Sequence, residues 1–115
     1  MAKQKMPSST IEKVRTRAEG LCERCGTGDS LRWSFHHRKP RRMGGTRDLF
    51  SNSPANILLL CGSGTEGCHG LIESQREEAK GNGLLLYAND DPLEVPVNLR
   101  YGLVFLDDGG GLQLC

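Results

Sequence analysis

Four cysteines in two clusters, Cys22-Glu-Arg-Cys25 and Cys61 with Cys68, bracket a histidine pair, His36-His37, and a Cys68-His69 step closes the array. Thiolates grouped in this way can fill the four tetrahedral positions of one structural zinc, with Cys22, Cys25, Cys61 and Cys68 as the ligands. Such a site is closed, so it braces a fold and does no chemistry. The imidazoles inside that frame are a different resource. They can hold a divalent cation with an open position, or take a proton from water near neutral pH. Asn56 stands between the histidine groups. Six residues separate Cys61 from Cys68, against the two of a tight knuckle, so the second pair is the less regular one. Cys115, at the C-terminal end, is the odd cysteine and receives no role.

The elements that must position these groups can be read from pattern. Residues 1–8 read as a disordered basic arm. Ser9-Thr-Ile-Glu12 reads as a capping box, with a helix running to about Glu19 and ending at Gly20. Cys22 to Cys25 form a knuckle. Leu31 to His37 alternates apolar and polar, which predicts a strand with Leu31, Trp33, Phe35 and His37 inward and His36 on the other face. A loop follows over 38–52, with Pro40, Gly44 and Gly45. Ser53-Pro-Ala-Asn56 predicts one helical turn with Pro54 at its first position. Ile57 to Leu60 is a short apolar run, read as a buried strand ending at Cys61. One helix is predicted over 68–80, closed by Gly81. Beyond Gly83 the chain turns β-rich, with strands expected at 84–87, 94–97 and 103–106. The predicted organisation is an α+β chain: the arm 1–8, a zinc-braced core over 9–82, and an extension over 83–115 packed on that core and free of chemistry.

Cys22-x-x-Cys25, Phe35-His-His37, Asn56-Ile-Leu-Leu-Leu-Cys61 and Cys68-His69 together resemble the HNH endonucleases, and most of all the small HNH proteins of bacteriophages and actinobacteria. The likeness covers about 14–108 and includes the stretches 53–70 and 89–96. It implies a ββα-metal (His-Me finger) fold and metal-dependent hydrolysis of DNA phosphodiesters to 5′-phosphate and 3′-hydroxyl ends. By the same resemblance His37 would be the general base. His36 and His69 would hold one catalytic divalent cation, Mg²⁺, Mn²⁺, Ni²⁺ or Zn²⁺, that stabilises charge on the phosphate and leaving oxygen. Asn56 would tie down the loop between the strands and so position His37. Many relatives place a third metal-binding side chain after the Cys-His step. Here Glu73, four residues from His69 on a helix, is the candidate, with water as the other choice. Asn52 and Asn98 are set aside, because neither directly precedes the strand to Cys61. The resemblance also suggests a link to phage genome packaging, with terminase or portal proteins as partners.

Charge supports a polyanion partner. The net charge of +1 hides an asymmetry: residues 1–80 carry 14 Lys and Arg against 9 Asp and Glu, whereas 81–115 carry Arg100 alone against five acids. Arg32, Arg38, Lys39, Arg41, Arg42 and Arg47 form a basic run with no acid between Ser30 and Arg47, the candidate DNA-binding surface. Trp33 alternates with core residues and is assigned to packing rather than base stacking. With 15 Gly and 5% aromatics in 115 residues, the apolar core is thin and a metal staple would offset it. No apolar run reaches the ~20 residues of a membrane span. Residues 1–9 are polar, unlike a secretory signal. Reduced, metal-binding cysteines and a cytoplasmic location are therefore expected. The rival reading is a non-catalytic zinc-knuckle module that binds nucleic acid or a protein. It needs the cysteines but not the histidines.

Overall fold

The computed structural model describes residues 6–39 and 52–115. Among them are three α-helices and two small antiparallel sheets, an α+β arrangement. The first helix, α1, spans Ser8–Ala18. Its N-cap position is Pro7, and no side chain caps it, so the capping box at Ser9 does not form. The Pro7 carbonyl instead accepts from Ile11 N at 3.1 Å. Met6 packs with Phe35 against Val14, Ala18, Ile57 and Leu59, and Ser8 already lies in α1, so residues 6–8 belong to the folded part of the chain rather than to the arm predicted over 1–8. Glu19 and Gly20 turn left-handed, at φ 59° and 74°, and end the helix where the glycine predicted.

Trp33–His37 forms β1 and Ile57–Cys61 forms β2, paired antiparallel with His37 opposite Ile57 and Phe35 opposite Leu59. A 3₁₀ turn over Pro54–Asn56 leads into β2, with Pro54 at its start as predicted. Every residue of β2 is buried. Ile57 and Leu59 join the α1 cluster, while Leu58 and Leu60 join the main core on the other face. A strand covered on both faces has no need to alternate, which is why it reads as one apolar run.

The same double cover corrects the facing predicted for β1. Phe35 does pack toward α1, but Leu31 is fully exposed beyond the ladder, and Trp33, at the ribbon's end, is 37% exposed. The deeply buried residue is His36, 4% exposed, on the face opposite Phe35.

The predicted single helix over 68–80 is two: α2 over Gly67–Ser74 and α3 over Arg76–Gly81, broken at Gln75. The Ser74 hydroxyl donates back to the Leu71 carbonyl, which also takes Gln75 N, and the ladder restarts with Ala79 N on Gln75 O.

The second sheet orders β3 (Val97–Leu99), β4 (Gly102–Leu106) and β5 (Leu112–Leu114). No strand forms at 84–87. Leu84, Leu85 and Leu86 are buried, but their amides are claimed by the Ala79 and Arg38 carbonyls, so none remains for a ladder. Leu84, Leu85, Val97, Leu99, Val104 and Leu106 share one cluster with Cys22, Leu58, Leu60 and Ile72. The C-terminal third therefore completes the core. Among the described residues no helix is long and apolar enough to cross a membrane.

Candidate metal and histidine sites

The four cysteines converge. Cys22, Cys25, Cys61 and Cys68 place one sulfur each within 4.8 Å of one another, three of the residues buried and Cys25 exposed. Cys25 Sγ lies 3.8 Å from Cys61 Sγ. Tetrahedral Zn–S bonds of about 2.3 Å would set sulfurs about 3.8 Å apart, so this spacing fits a thiolate-bound metal such as zinc. The donor set is soft and closed, made of four sulfurs.

Local chain geometry explains the irregular spacing. Gly62 (φ 91°) and Gly67 (φ 68°) fold the intervening residues into a tight loop. In it Ser63 N donates to Glu66 O at 2.9 Å and Glu66 N returns to Ser63 O at 3.2 Å. A Cβ on Gly62 would collide with the Glu66 carbonyl, and one on Gly67 would lie 2.6 Å from the Cys61 carbonyl. The loop thus delivers Cys68 N to within 3.4 Å of Cys61 Sγ.

Neighbours tune these sulfurs. Burial raises the Cys22 thiol, but amides of Cys25, Cys61 and Arg24 outweigh it and bring the pKa down to about 7. Burial pushes Cys68 well up, partly offset by Arg24, whose Nη1 donates to Cys68 Sγ at 3.4 Å.

The knuckle is held from below by Glu23, which is fully buried. Its carboxylate accepts from Arg17 Nε and Nη2 at 2.8 and 2.9 Å, from Leu59 N at 2.9 Å, and from the Tyr101 hydroxyl at 2.9 Å. One carboxylate thereby ties α1, the knuckle, β2 and the C-terminal third together. Nothing in the sequence singles out Glu23 beyond its place between two cysteines.

The histidines form a second centre. His36 on β1 and His69 on α2 stack obliquely, ring centroids 5.3 Å apart. With Glu73, one turn on from His69, they set one ligand atom each within 4.8 Å of one another. His36 Nε2 lies 2.8 Å from the Leu84 carbonyl. A carbonyl only accepts, so Nε2 carries the proton and Nδ1 the lone pair. Burial drives the His36 pKa down to about 4, so the ring is a neutral potential ligand. The 83–115 segment, expected to stand apart from the chemistry, thus supplies the carbonyl that orients His36. Glu73 Oε2 is 3.7 Å from His69 Nε2, and its Oε1 takes Arg76 Nη1 at 2.8 Å. These nitrogen and oxygen donors suit several divalent ions.

His37 stands next along β1, outside that trio. Its Nε2 lies 2.8 Å from Asn52 Oδ1. Asn52, set aside on sequence grounds, is therefore a partner of the expected general base. Asn56, 1% exposed, accepts from Lys39 N at 2.8 Å and donates to Lys39 O at 3.2 Å. These side-chain to backbone bonds are the kind expected of it.

The basic run divides. Arg41, Arg42 and Arg47 lie outside the described residues. Arg32 is exposed beside Glu66, and Lys39 is half-buried. Arg38 is no phosphate contact. It is fully buried, and its guanidinium donates to the carbonyls of Gly83, Ala55, Pro92 and Val95 at 2.7–3.0 Å. Burial also lowers its pKa to about 10. No protein-family model, curated protein or solved structure matches the chain.

Proposed function

We propose that this chain is a divalent-metal-dependent HNH endonuclease that hydrolyses DNA, its β1–β2 ribbon and α2 forming a ββα-metal core braced by zinc. The observation that carries this reading is the convergence of His36, His69 and Glu73 beside a four-cysteine cluster, with His37 adjacent on the strand. A bracing metal alone would need no second donor set.

His37 acts as the general base. A bond from Nε2–H to Asn52 Oδ1 puts the ring's lone pair on Nδ1, and that nitrogen takes the proton of the attacking water. Attack at phosphorus, in line with the 3′ oxygen, yields 5′-phosphate and 3′-hydroxyl ends. A divalent cation at His36, His69 and Glu73 would supply charge stabilisation on the phosphate and leaving oxygen. Asn56 fixes the backbone at Lys39 and so holds the strand end that carries His37. Arg32 and Lys39, with Arg41, Arg42 and Arg47, neutralise backbone phosphates. The Arg32–Glu66 pair, 3.4 Å and exposed, is weak enough to exchange for a phosphate. A place in phage genome packaging, beside terminase or portal proteins, rests on the sequence resemblance alone.

One observation favours the rival binding module: Glu73 already has Arg76 as a partner. Cleavage of supercoiled plasmid separates the two. Wild type should nick or linearise DNA with Mg²⁺, Mn²⁺ or Ni²⁺ and not with EDTA, and His37→Ala should be inert while still shifting DNA. Wild type that shifts DNA in a salt-dependent way, yet cuts with no ion, would establish the binding module.

A further inference from the structure

We propose that Ser34 is a positioning residue that sets the tautomer of His69 and thereby selects the nitrogen His69 offers to a metal. This rests on reading His36, His69 and Glu73 as a divalent-cation site. Ser34 lies on β1, on the same face as His36 by strand alternation. Its Oγ is 2.7 Å from the Gly62 carbonyl and 3.0 Å from His69 Nδ1. A carbonyl can only accept, so the hydroxyl's single proton goes to Gly62. Toward His69 the same oxygen can then only accept, and Nδ1 must carry the imidazole proton. In the neutral ring the lone pair is left on Nε2, the nitrogen 3.7 Å from Glu73 Oε2.

The two imidazoles are thus locked in opposite senses. His36 is held by a backbone carbonyl and presents Nδ1, whereas His69 is held by a side chain and presents Nε2. Only the second lock can be removed by substitution at the partner residue. It is also anchored on the zinc side, because Gly62 opens the loop that joins Cys61 to Cys68. The small hydroxyl of Ser34 is therefore a mechanical link between the bracing cluster and the histidine centre. Outer partners of this kind typically matter about 10–100-fold in metal affinity.

The test uses zinc-loaded protein without a second metal. Long-range ¹H–¹⁵N spectra of the imidazoles should show His69 as the Nδ1–H tautomer in wild type and Ser34→Thr, and as a mixture in Ser34→Ala. Ni²⁺ titrated calorimetrically into the same proteins should bind about 10–100-fold more weakly to Ser34→Ala, with Ser34→Thr close to wild type. Wild-type His69 found as the Nε2–H tautomer would overturn the proposal without recourse to any variant. So would Ser34→Ala that keeps both the tautomer and the affinity while His69→Ala loses Ni²⁺ binding. If His69→Ala binds Ni²⁺ like wild type, the cation-site reading itself fails.

Discussion

Asn56 closes both backbone groups of Lys39 with one side chain, accepting from its amide at 2.8 Å and donating to its carbonyl at 3.2 Å. Asn56 is almost wholly buried, so water cannot take over either bond. Asn56→Asp keeps the acceptor but sets a carboxylate oxygen against the Lys39 carbonyl. The expected cost is about 1–3 kcal/mol of stability, the range for a buried polar group left unmatched. Urea denaturation reads it directly. Cleavage should fall as well, because Lys39 lies two residues from His37.

Arg38 should behave as a structural residue. Its guanidinium joins four carbonyls drawn from the 3₁₀ turn and from three points between Gly83 and Val95. Arg38→Ala strips the donor from all four carbonyls, two of them in fully buried contacts, and a loss of about 1–3 kcal/mol is expected for the groups left unmatched. Arg38→Lys should not rescue, since one ammonium cannot span the same acceptors. Arg32→Ala, by contrast, should leave stability unchanged and reduce the salt dependence of DNA binding. Equal stability of Arg38→Ala and wild type by urea denaturation would contradict this assignment.

If the four cysteines hold a bracing metal, its removal should unfold the core. Cys22, Cys61 and Cys68 lie in the main hydrophobic cluster, so their sulfurs are part of the packing as well as the ligand set. Cys25→Ser exchanges the exposed ligand for a poor one with little change in volume. One zinc per chain by elemental analysis is expected for wild type and well under one for Cys25→Ser. The variant should lose its cooperative thermal transition. A folded Cys25→Ser protein without zinc would remove the brace from the argument.

The alkaline limb of stability should report Tyr101. Burial raises its phenol pKa above the ordinary 10.0, and the Glu23 carboxylate adds to this, while Arg100 and Arg17 oppose it. The folded state therefore holds the proton to higher pH than the unfolded chain does. The contribution is fully present below the unfolded value and is lost as pH rises from 10.0 toward the folded value. Tyr101→Phe should flatten the slope of unfolding free energy against pH above about 10. An unchanged slope would show that the Glu23 contact does not hold the phenol neutral.

The legible parts of this molecule were those fixed by local pattern or by a cysteine spacing that could hold a metal. The four-cysteine set, the Pro54 turn and the buried run at 57–60 all belong there. What stayed hidden depends on partners far along the chain. His36 is buried rather than outward because His69 of α2 packs on its ring and the Leu84 carbonyl, 48 residues on, accepts a hydrogen bond from its Nε2. Arg38 looks like one more charge in a basic loop until carbonyls up to 57 residues away surround it. The strand expected at 84–87 fails for a related reason: its amides are claimed by a helix end and by Arg38 rather than by a neighbouring strand. Hydrophobic periodicity carries no information about such claims.

Asn52 is the residue whose place in the sequence argues least for it, and it offers the sharpest test of the histidine assignments. Its backbone carbonyl takes the Thr10 hydroxyl at 2.7 Å, which pins it to α1, while its side-chain oxygen faces His37 Nε2 at 2.8 Å. Pinning by the backbone means that Asn52→Ala removes the His37 contact without releasing the segment. One neutral hydrogen bond is worth about 1 kcal/mol, which corresponds to roughly a fivefold change in rate. Asn52→Ala should therefore cut plasmid roughly fivefold more slowly with zinc content and melting temperature near wild type. Asn52→Asp should retain the bond and make it charge-assisted, which favours protonated His37. Its cleavage should require higher pH than wild type, because the base must be neutral to act. If Asn52→Asp and wild type show the same pH–rate profile, the Asn52 contact does not govern the proton on His37, and the base must be sought elsewhere.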